Sequence, residues 1–368
     1  MAAEYATFEV ARATRAGAVL AGGGYQAHRE FLDFIVDGRS LLLRLDEPDG
    51  RDVRDARDAR DVVDAVSPLA ADLGPSLFTS QVRGLLLERE SGLGGGRRIV
   101  YGCPECEGLD CGVVTAVIER RGAAVIWRDF AWQTGDRPVT ERDRYPRAGP
   151  FRFRAEQYDG VLERLLLDTP ALVRQVLLVG RRVALFVRLA AALRSIGIGT
   201  DLTGDVAATA REELRRYGAV VIDPAAGERE RAAVRAAFAA ANADTVFVEA
   251  PAPLVPPLVA QLEQALQQTP RAQRRLVTLT TVDGWARLEV RGACRVRLTG
   301  YWRDALRRER VHCLFEGRLA PGVHRLPLDG LGGGGYVVAR AFGDVLVAGV
   351  PGRTGPARRL RTDRSARR

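Results

Sequence analysis

Val176-Leu177-Leu178-Val179-Gly180-Arg181-Arg182-Val183-Ala184-Leu185-Phe186 decides how the middle of this 368-residue chain is read. Four apolar residues with no polar alternation predict a strand buried on both faces, as in a parallel sheet covered by helices. Gly180 breaks the run, and residues 183–195 then carry helical spacing. The pattern repeats outward: a weak strand over 197–202, a helix over 205–217, a strand over 219–223, a helix over 228–241, a strand over 245–248, a helix over 254–268 and a strand over 276–280. Five strands separated by helices predict an α/β unit with a parallel sheet, assigned to residues 170–284.

On the N-terminal side the pattern is mostly β. Phe31, Phe34 and Val36, then Asp37-Gly38, then Leu41 to Leu45 predict a hairpin, because Asp-Gly supplies the positive φ values of a tight turn. A second hairpin is predicted from 113–118 and 124–127, turning at Arg121-Gly122. Between them, residues 51–64 repeat Arg-Asp-x and set Arg51/Asp55, Arg54/Asp58, Arg57/Asp61 and Arg60/Asp64 four residues apart. Arginine ahead of the acid is the weaker helical order, so this reads as a charged surface insertion. A short strand and an amphipathic helix over 151–167 close a β-rich unit spanning 1–169. Beyond Asp283-Gly284 the helices stop. Short strands over 285–290, 293–298, 311–315, 323–328, 336–342 and 345–350 predict a small β-sandwich over 285–351. The fold class is thus multidomain, α/β plus β.

Composition narrows the chemistry. The chain has no lysine, so all 55 of its Lys+Arg positions are arginine. A P-loop lysine, a Schiff-base lysine and a Tyr-x-x-x-Lys proton relay all require an ammonium, which guanidinium does not replace. Of the net charge of +9, the C-terminal arginines Arg358, Arg359, Arg361, Arg364, Arg367 and Arg368, set against Asp363, account for five, leaving a mildly basic body. Residues 352–368 are expected to be a disordered Arg-rich tail, a weak pointer to nucleic acid. No basic segment followed by an apolar core opens the chain, and no apolar run approaches the ~20 residues of a membrane span, so a soluble, cytoplasmic protein is expected. Five cysteines, an odd number, fit a reducing compartment.

Cys103-Pro104-Glu105-Cys106 followed by Cys111 gives C-x2-C-x4-C, a turn able to aim thiolates at one point, as tetrahedral zinc requires. No convincing fourth ligand accompanies Cys103, Cys106 and Cys111, since Asp110 is badly placed and His28 is remote. Zinc, a reduced structural turn and redox chemistry all stay open. Together with Leu109, Gly112 and the run Ile126 to Phe130, this segment resembles a group of uncharacterised actinobacterial Cys-Pro-Glu-Cys proteins over residues 5–167. That resemblance implies no activity.

At Val179 to Phe186 the strand-to-helix turn resembles that of short-chain dehydrogenases, whose glycines admit a cofactor pyrophosphate to a helix N-terminus. Only Gly180 matches a family glycine, and Phe186 stands where another belongs. The likeness continues at Glu249-Ala250-Pro251 and at 275–284, with Thr280 and Thr281 in the paired-serine positions. Where the family carries its catalytic tyrosine and lysine, this chain has Cys294 and Leu298. The resemblance implies a degenerate Rossmann-like unit. Gly180, Arg181, Arg182 and Asp201 are the residues that would hold NAD(P), with the two arginines reading equally as a solvated helix start.

Residues 296–338 resemble the immunoglobulin-like modules of flagellar hook-cap and sorting-domain proteins, on Glu316 to His324 and Gly335-Tyr336-Val337-Val338. Such modules mediate contacts. By alternation, Cys294 (with Val296 and Leu298), Cys313 (with Val311 and Phe315) and His324 (with Leu326 and Leu328) are expected in the core, and His312 in solvent. No Ser/His/Asp set or carboxylate pair assembles. The function expected is a non-catalytic binding or scaffold protein with a protein partner. An NAD(P)-dependent oxidoreductase with atypical residues and a zinc-binding interaction protein are the alternatives.

Overall fold

The computed structural model describes residues 4–19, 25–46, 65–70, 75–103, 109, 111–135, 139–167, 175–180, 183–206, 209–223, 225–248, 254–304, 306–331, 334–341 and 343–351. The Arg-Asp run at 51–64, Cys106, Arg181, Arg182, Glu249-Ala250-Pro251 and the tail from 352 lie outside these residues. The chain is mixed α/β, with one parallel sheet and the rest antiparallel.

The N-terminal part holds β1 (Phe8–Arg15), the two-residue strands β2 (Ala18–Val19) and β3 (Tyr25–Gln26), β4 (Arg29–Val36), β5 (Arg39–Ser40), α1 (Leu41–Leu45), α2 (Pro75–Leu85), β6 (Arg97–Gly102), β7 (Val113–Arg121), β8 (Ala124–Gln133), β9 (Phe151–Arg154) and α3 (Ala155–Leu167). β1-β4-β5 and β6-β7-β8-β9 are antiparallel sheets sharing one core with α1, α2 and α3. At its centre Trp127 meets Phe8, Phe34, Phe153 and Tyr158 at ring-centroid distances of 5.2–6.1 Å. Both turns fall where the sequence places them, but Leu41 to Leu45 is a helix, not the returning arm of a hairpin. The Ser40 hydroxyl accepts from Leu43 N at 3.2 Å, an N-cap that starts the helix. A five-residue apolar run carries no period with which to tell the two apart.

The parallel sheet has the order β11-β10-β12-β13, from β10 (Gln175–Val179), β11 (Thr200–Thr203), β12 (Tyr217–Ile222) and β13 (Val246–Val248). Helices cover both faces. Val176 and Leu178 face α4 (Val183–Ser195) and α7 (Val255–Leu266), while Leu177 and Val179 face α5 (Arg211–Leu214) and α6 (Glu228–Ala240). The helix expected over 205–217 shrinks to four residues, with Leu214 alone buried, and Tyr217 already opens β12.

The strand expected as fifth in this sheet, β14 (Leu276–Val282), instead pairs antiparallel with β15 (Trp285–Val290). Its sequence explains the difference. Leu-Val-Thr-Leu-Thr-Thr-Val alternates, and its burial alternates with it, the habit of a strand with one face covered rather than two. β14-β15-β18, with β18 (Gly322–Pro327), forms one antiparallel sheet. β16 (Cys294–Arg303), β17 (Glu309–Leu319), β19 (Tyr336–Ala341) and β20 (Asp344–Gly349) form the other, in the order β17-β16-β19-β20. The two share a core that includes Leu276, Leu288, Val296, Leu298 and Val337.

Cys294 is buried there as expected, but Cys313 and Val311 are exposed. The register slips between Leu298, opposite Phe315, and Thr299, opposite Cys313, so the extra residue Leu314 reverses the alternation. His312 is exposed, and His324 is only half-buried, its Nε2 lying 2.7 Å from the Ala320 carbonyl.

α7 joins the parts. One side lies on the parallel sheet, and Ala260 on the other packs with Ala16, Val338 and Val345. A helix apolar on every side belongs in an interior, and its one carboxylate, Glu263, is 1% exposed and bonded to Arg340 Nη2. His28 lies against the same carboxylate, Nδ1 to Oε1 at 4.0 Å. Among the described residues no helix is long and apolar enough to cross a membrane.

Candidate functional site

In a doubly wound sheet, ligands enter beyond the carboxyl ends of the strands where the chain reverses its direction of travel across the sheet. Here the chain passes from β10 to β11 on one side and then to β12 on the other, so the crevice lies between the ends of β10 and β12, at Gly180 and Asp223. Asp223 N donates to the Val179 carbonyl at 2.8 Å, and Gly180 N to Thr203 O at 3.0 Å. The Asp223 carboxylate accepts from Ala225 N at 2.9 Å, and the residue is buried. Gly180 has φ +146°, and a Cβ added to it would sit 2.3 Å from Asp223 Cβ and 3.2 Å from Asp223 Oδ2. The glycine therefore makes room for an aspartate of the neighbouring strand, and a carboxylate stands where a pyrophosphate would need to lie.

The other residues assigned to a cofactor do not gather at this crevice. Asp201 sits in β11 opposite Leu177, two residues before the strand ends, and accepts from the Tyr217 hydroxyl at 2.9 Å, at the opposite end of β12 from Asp223. Phe186 is fully buried beneath α4 with Val176 and Leu178, which is why a ring replaces glycine there. The positions matched to the catalytic tyrosine and lysine fall in another sheet. Cys294 and Leu298 lie in the core of β16, and burial pushes the Cys294 thiol up to about 11, which keeps it protonated at neutral pH. Thr281 Oγ1 donates to Gly349 O at 2.5 Å, also outside the parallel sheet.

The cysteine turn is placed by a hairpin. β6 ends at Gly102, paired with Val113 at the start of β7, so Cys103 and Cys111 frame the same end. Both are free thiols, Cys103 half-buried and Cys111 exposed. Among the described residues no three His, Cys, Asp or Glu side chains converge as a metal site would need.

A third locality was not anticipated from the sequence. A cavity of about 490 Å³ opens where the β4–β5 turn and α1 meet residues 272–275 and the β15–β16 turn. Arg39, Arg147, Arg274, Arg275 and Arg291 line it, with no acidic side chain in the lining. Its floor is built of buried hydrogen bonds. Gln273 accepts from Ser40 N at 2.9 Å and donates to Gly38 O at 2.8 Å. The Arg275 guanidinium, 6% exposed, donates to Leu43 O at 3.0 Å and Asp46 Oδ2 at 3.3 Å. Asp344 accepts from Arg275 N at 2.5 Å, Leu276 N at 3.0 Å and Gln267 Nε2, while burial pushes its carboxyl up to about 6.

No family model matches the chain, and searches of curated proteins and of solved structures return no match.

Proposed function

We propose that this chain is a non-catalytic binding or scaffold protein in which a degenerate Rossmann-like unit, residues 170–284, supports a β-rich unit before it and an immunoglobulin-like β-sandwich after it. The observation that carries this reading is the contact of Gly180 with Asp223. A glycine required by a neighbouring carboxylate is accounted for without a cofactor, and that carboxylate opposes a pyrophosphate electrostatically at the one crevice where the sheet order would place it. The burial of Cys294 and Leu298 supports the same conclusion, because no tuned acid or base replaces the missing tyrosine and lysine at those positions. The partner proposed is another protein, and the compartment the cytoplasm.

The test is a thermal-shift titration of the full-length protein with NAD, NADH, NADP and NADPH in excess inorganic pyrophosphate, which masks contacts made by phosphate alone. A ligand that binds only the folded chain raises Tm by mass action. No rise is expected, and a reproducible rise would overturn the reading in favour of an oxidoreductase.

Cys103 and Cys111 at one hairpin end favour a second reading, a zinc-organised partner surface with Cys106 as a third thiolate. Metal analysis of the purified protein decides it. One zinc per chain, lost in Cys103→Ser and Cys111→Ser, is the expected result of that reading, and its absence from metal-supplemented preparations refutes it.

A further inference from the structure

The arginine-lined cavity is organised as a receptor for charge. Arg274 donates Nε to Thr269 O at 2.8 Å and Nη2 to Gln267 O at 3.2 Å. Arg291 donates Nη1 to Arg274 O at 3.3 Å and to Arg271 O. Those acceptors are backbone carbonyls, which hold a guanidinium in place without cancelling its charge, and neither side chain meets a carboxylate among the described residues. Desolvation holds the Arg274 guanidinium below its ordinary value, with Asp344 opposing the fall and Arg271 adding to it. Arg39 and Arg147 reach the same space from the β4–β5 turn and from the segment before β9.

The wall is rigid on the side that matters. Gln273 and Arg275 bind it to the β4–β5 turn and α1, as above, and Gly292 is the residue that lets Arg275 lie there: a Cβ at 292 would fall 2.2 Å from Arg275 Nη1. A pocket of about 490 Å³ is the size of a small-molecule site rather than a surface dimple. Converging guanidiniums held by fixed acceptors match the planar, bidentate geometry by which arginine takes phosphate oxygens. A single carboxylate would leave most of the charge of Arg39, Arg147, Arg274 and Arg291 unanswered.

We propose that this cleft binds a small molecule carrying at least two phosphate groups. The site is separate from the Gly180 crevice and does not depend on how that crevice is read.

The test uses the full-length protein in calorimetric titrations at fixed ionic strength, with inorganic pyrophosphate as the probe and inorganic phosphate, citrate and an oligothymidylate as comparators. Pyrophosphate is expected to bind more tightly than phosphate or citrate. Arg291→Gln and Arg147→Gln, both at exposed positions, should each weaken it about tenfold or more, the loss of one charge-assisted contact. Arg291→Lys, which keeps the charge, should recover part of the affinity. The double variant Arg181→Gln/Arg182→Gln should bind like the parent, which separates the cleft from the helix start after Gly180. Because the C-terminal arginines are intact in every variant, binding through them would be unchanged throughout. The proposal is overturned if pyrophosphate does not bind, if Arg291→Gln and Arg147→Gln both bind it as the parent does, if citrate matches it, or if the oligonucleotide displaces it with higher affinity. Circular dichroism of each variant guards against loss of fold, and Arg39→Gln substitutes for either one that fails to fold.

Discussion

Replacing Gly180 with alanine tests whether the glycine serves the fold or a ligand. The added Cβ would stand 2.3 Å from Asp223 Cβ, whereas carbon atoms rest about 3.5–4.0 Å apart. The neighbour is a β-carbon close to backbone, so no flexible side chain can swing aside. Relief requires the ends of β10 and β12 to part, which breaks the 2.8 Å bond from Asp223 N to Val179 O. Overpacking costs about 1–3 kcal/mol and the lost hydrogen bond about 1 kcal/mol. A φ of +146° on a residue with a side chain adds about 1–3 kcal/mol. We expect Gly180→Ala to lower stability by about 3–5 kcal/mol with no ligand present, read as a fall in the urea midpoint by far-ultraviolet circular dichroism at unchanged slope. Asp223→Gly removes the opposing Cβ, so in the double variant only the backbone cost remains and the two changes couple by about 1–3 kcal/mol. A Gly180→Ala protein within about 0.5 kcal/mol of the parent, or a cycle without coupling, would refute this account and return Gly180 to a cofactor role.

Two carboxyls give the protein an unusual pH profile. Burial raises both Asp33 and Asp344 from 3.8 to about 6, a difference corresponding to about 3 kcal/mol each. The folded chain therefore binds more protons than the unfolded chain between those values, and stability falls as pH rises through that window. Urea midpoints at pH 4.5 and pH 7 measure it, and Asp344→Asn should remove its share of the slope; an unchanged slope would refute the assignment. Glu263→Ala leaves the Arg340 guanidinium without its buried partner and should cost about 3 kcal/mol in urea, while a Glu263→Met/Arg340→Met pair should lie nearer the parent. Equal losses in the two would show that Glu263 acts by volume alone. Trp127→Ala removes the ring that meets Phe8, Phe34, Phe153 and Tyr158 and should cost about 3–5 kcal/mol, with loss of the near-ultraviolet aromatic signal.

What was legible in the sequence follows from range. Val176 to Val179 announced a two-faced strand because four neighbours sufficed to show the absence of alternation, and Trp285 to Val290 announced a one-faced strand for the converse reason. Leu276 to Val282 carried the same alternating signal, but its position after four α/β units outweighed it. Cys313 was misplaced by one inserted residue, since a bulge has no local signature when the partner strand is unknown. The cleft failed to register for a different reason. In a chain whose every cation is arginine, an Arg-Arg pair at 274–275 is no louder than any other. Its meaning comes from partners far away in sequence: Ser40 and Gly38 for Gln273, Leu43 and Asp46 for Arg275, Asp344 for the backbone of both Arg275 and Leu276. Gly180 lies between these cases. Its identity was conspicuous, and the resemblance supplied a ligand as the reason, yet the group that requires it is Asp223, a residue the sequence reading took only as the end of a strand. A glycine after a parallel strand thus signals that something comes close, and only the neighbouring strand says whether that something belongs to the chain or to a ligand.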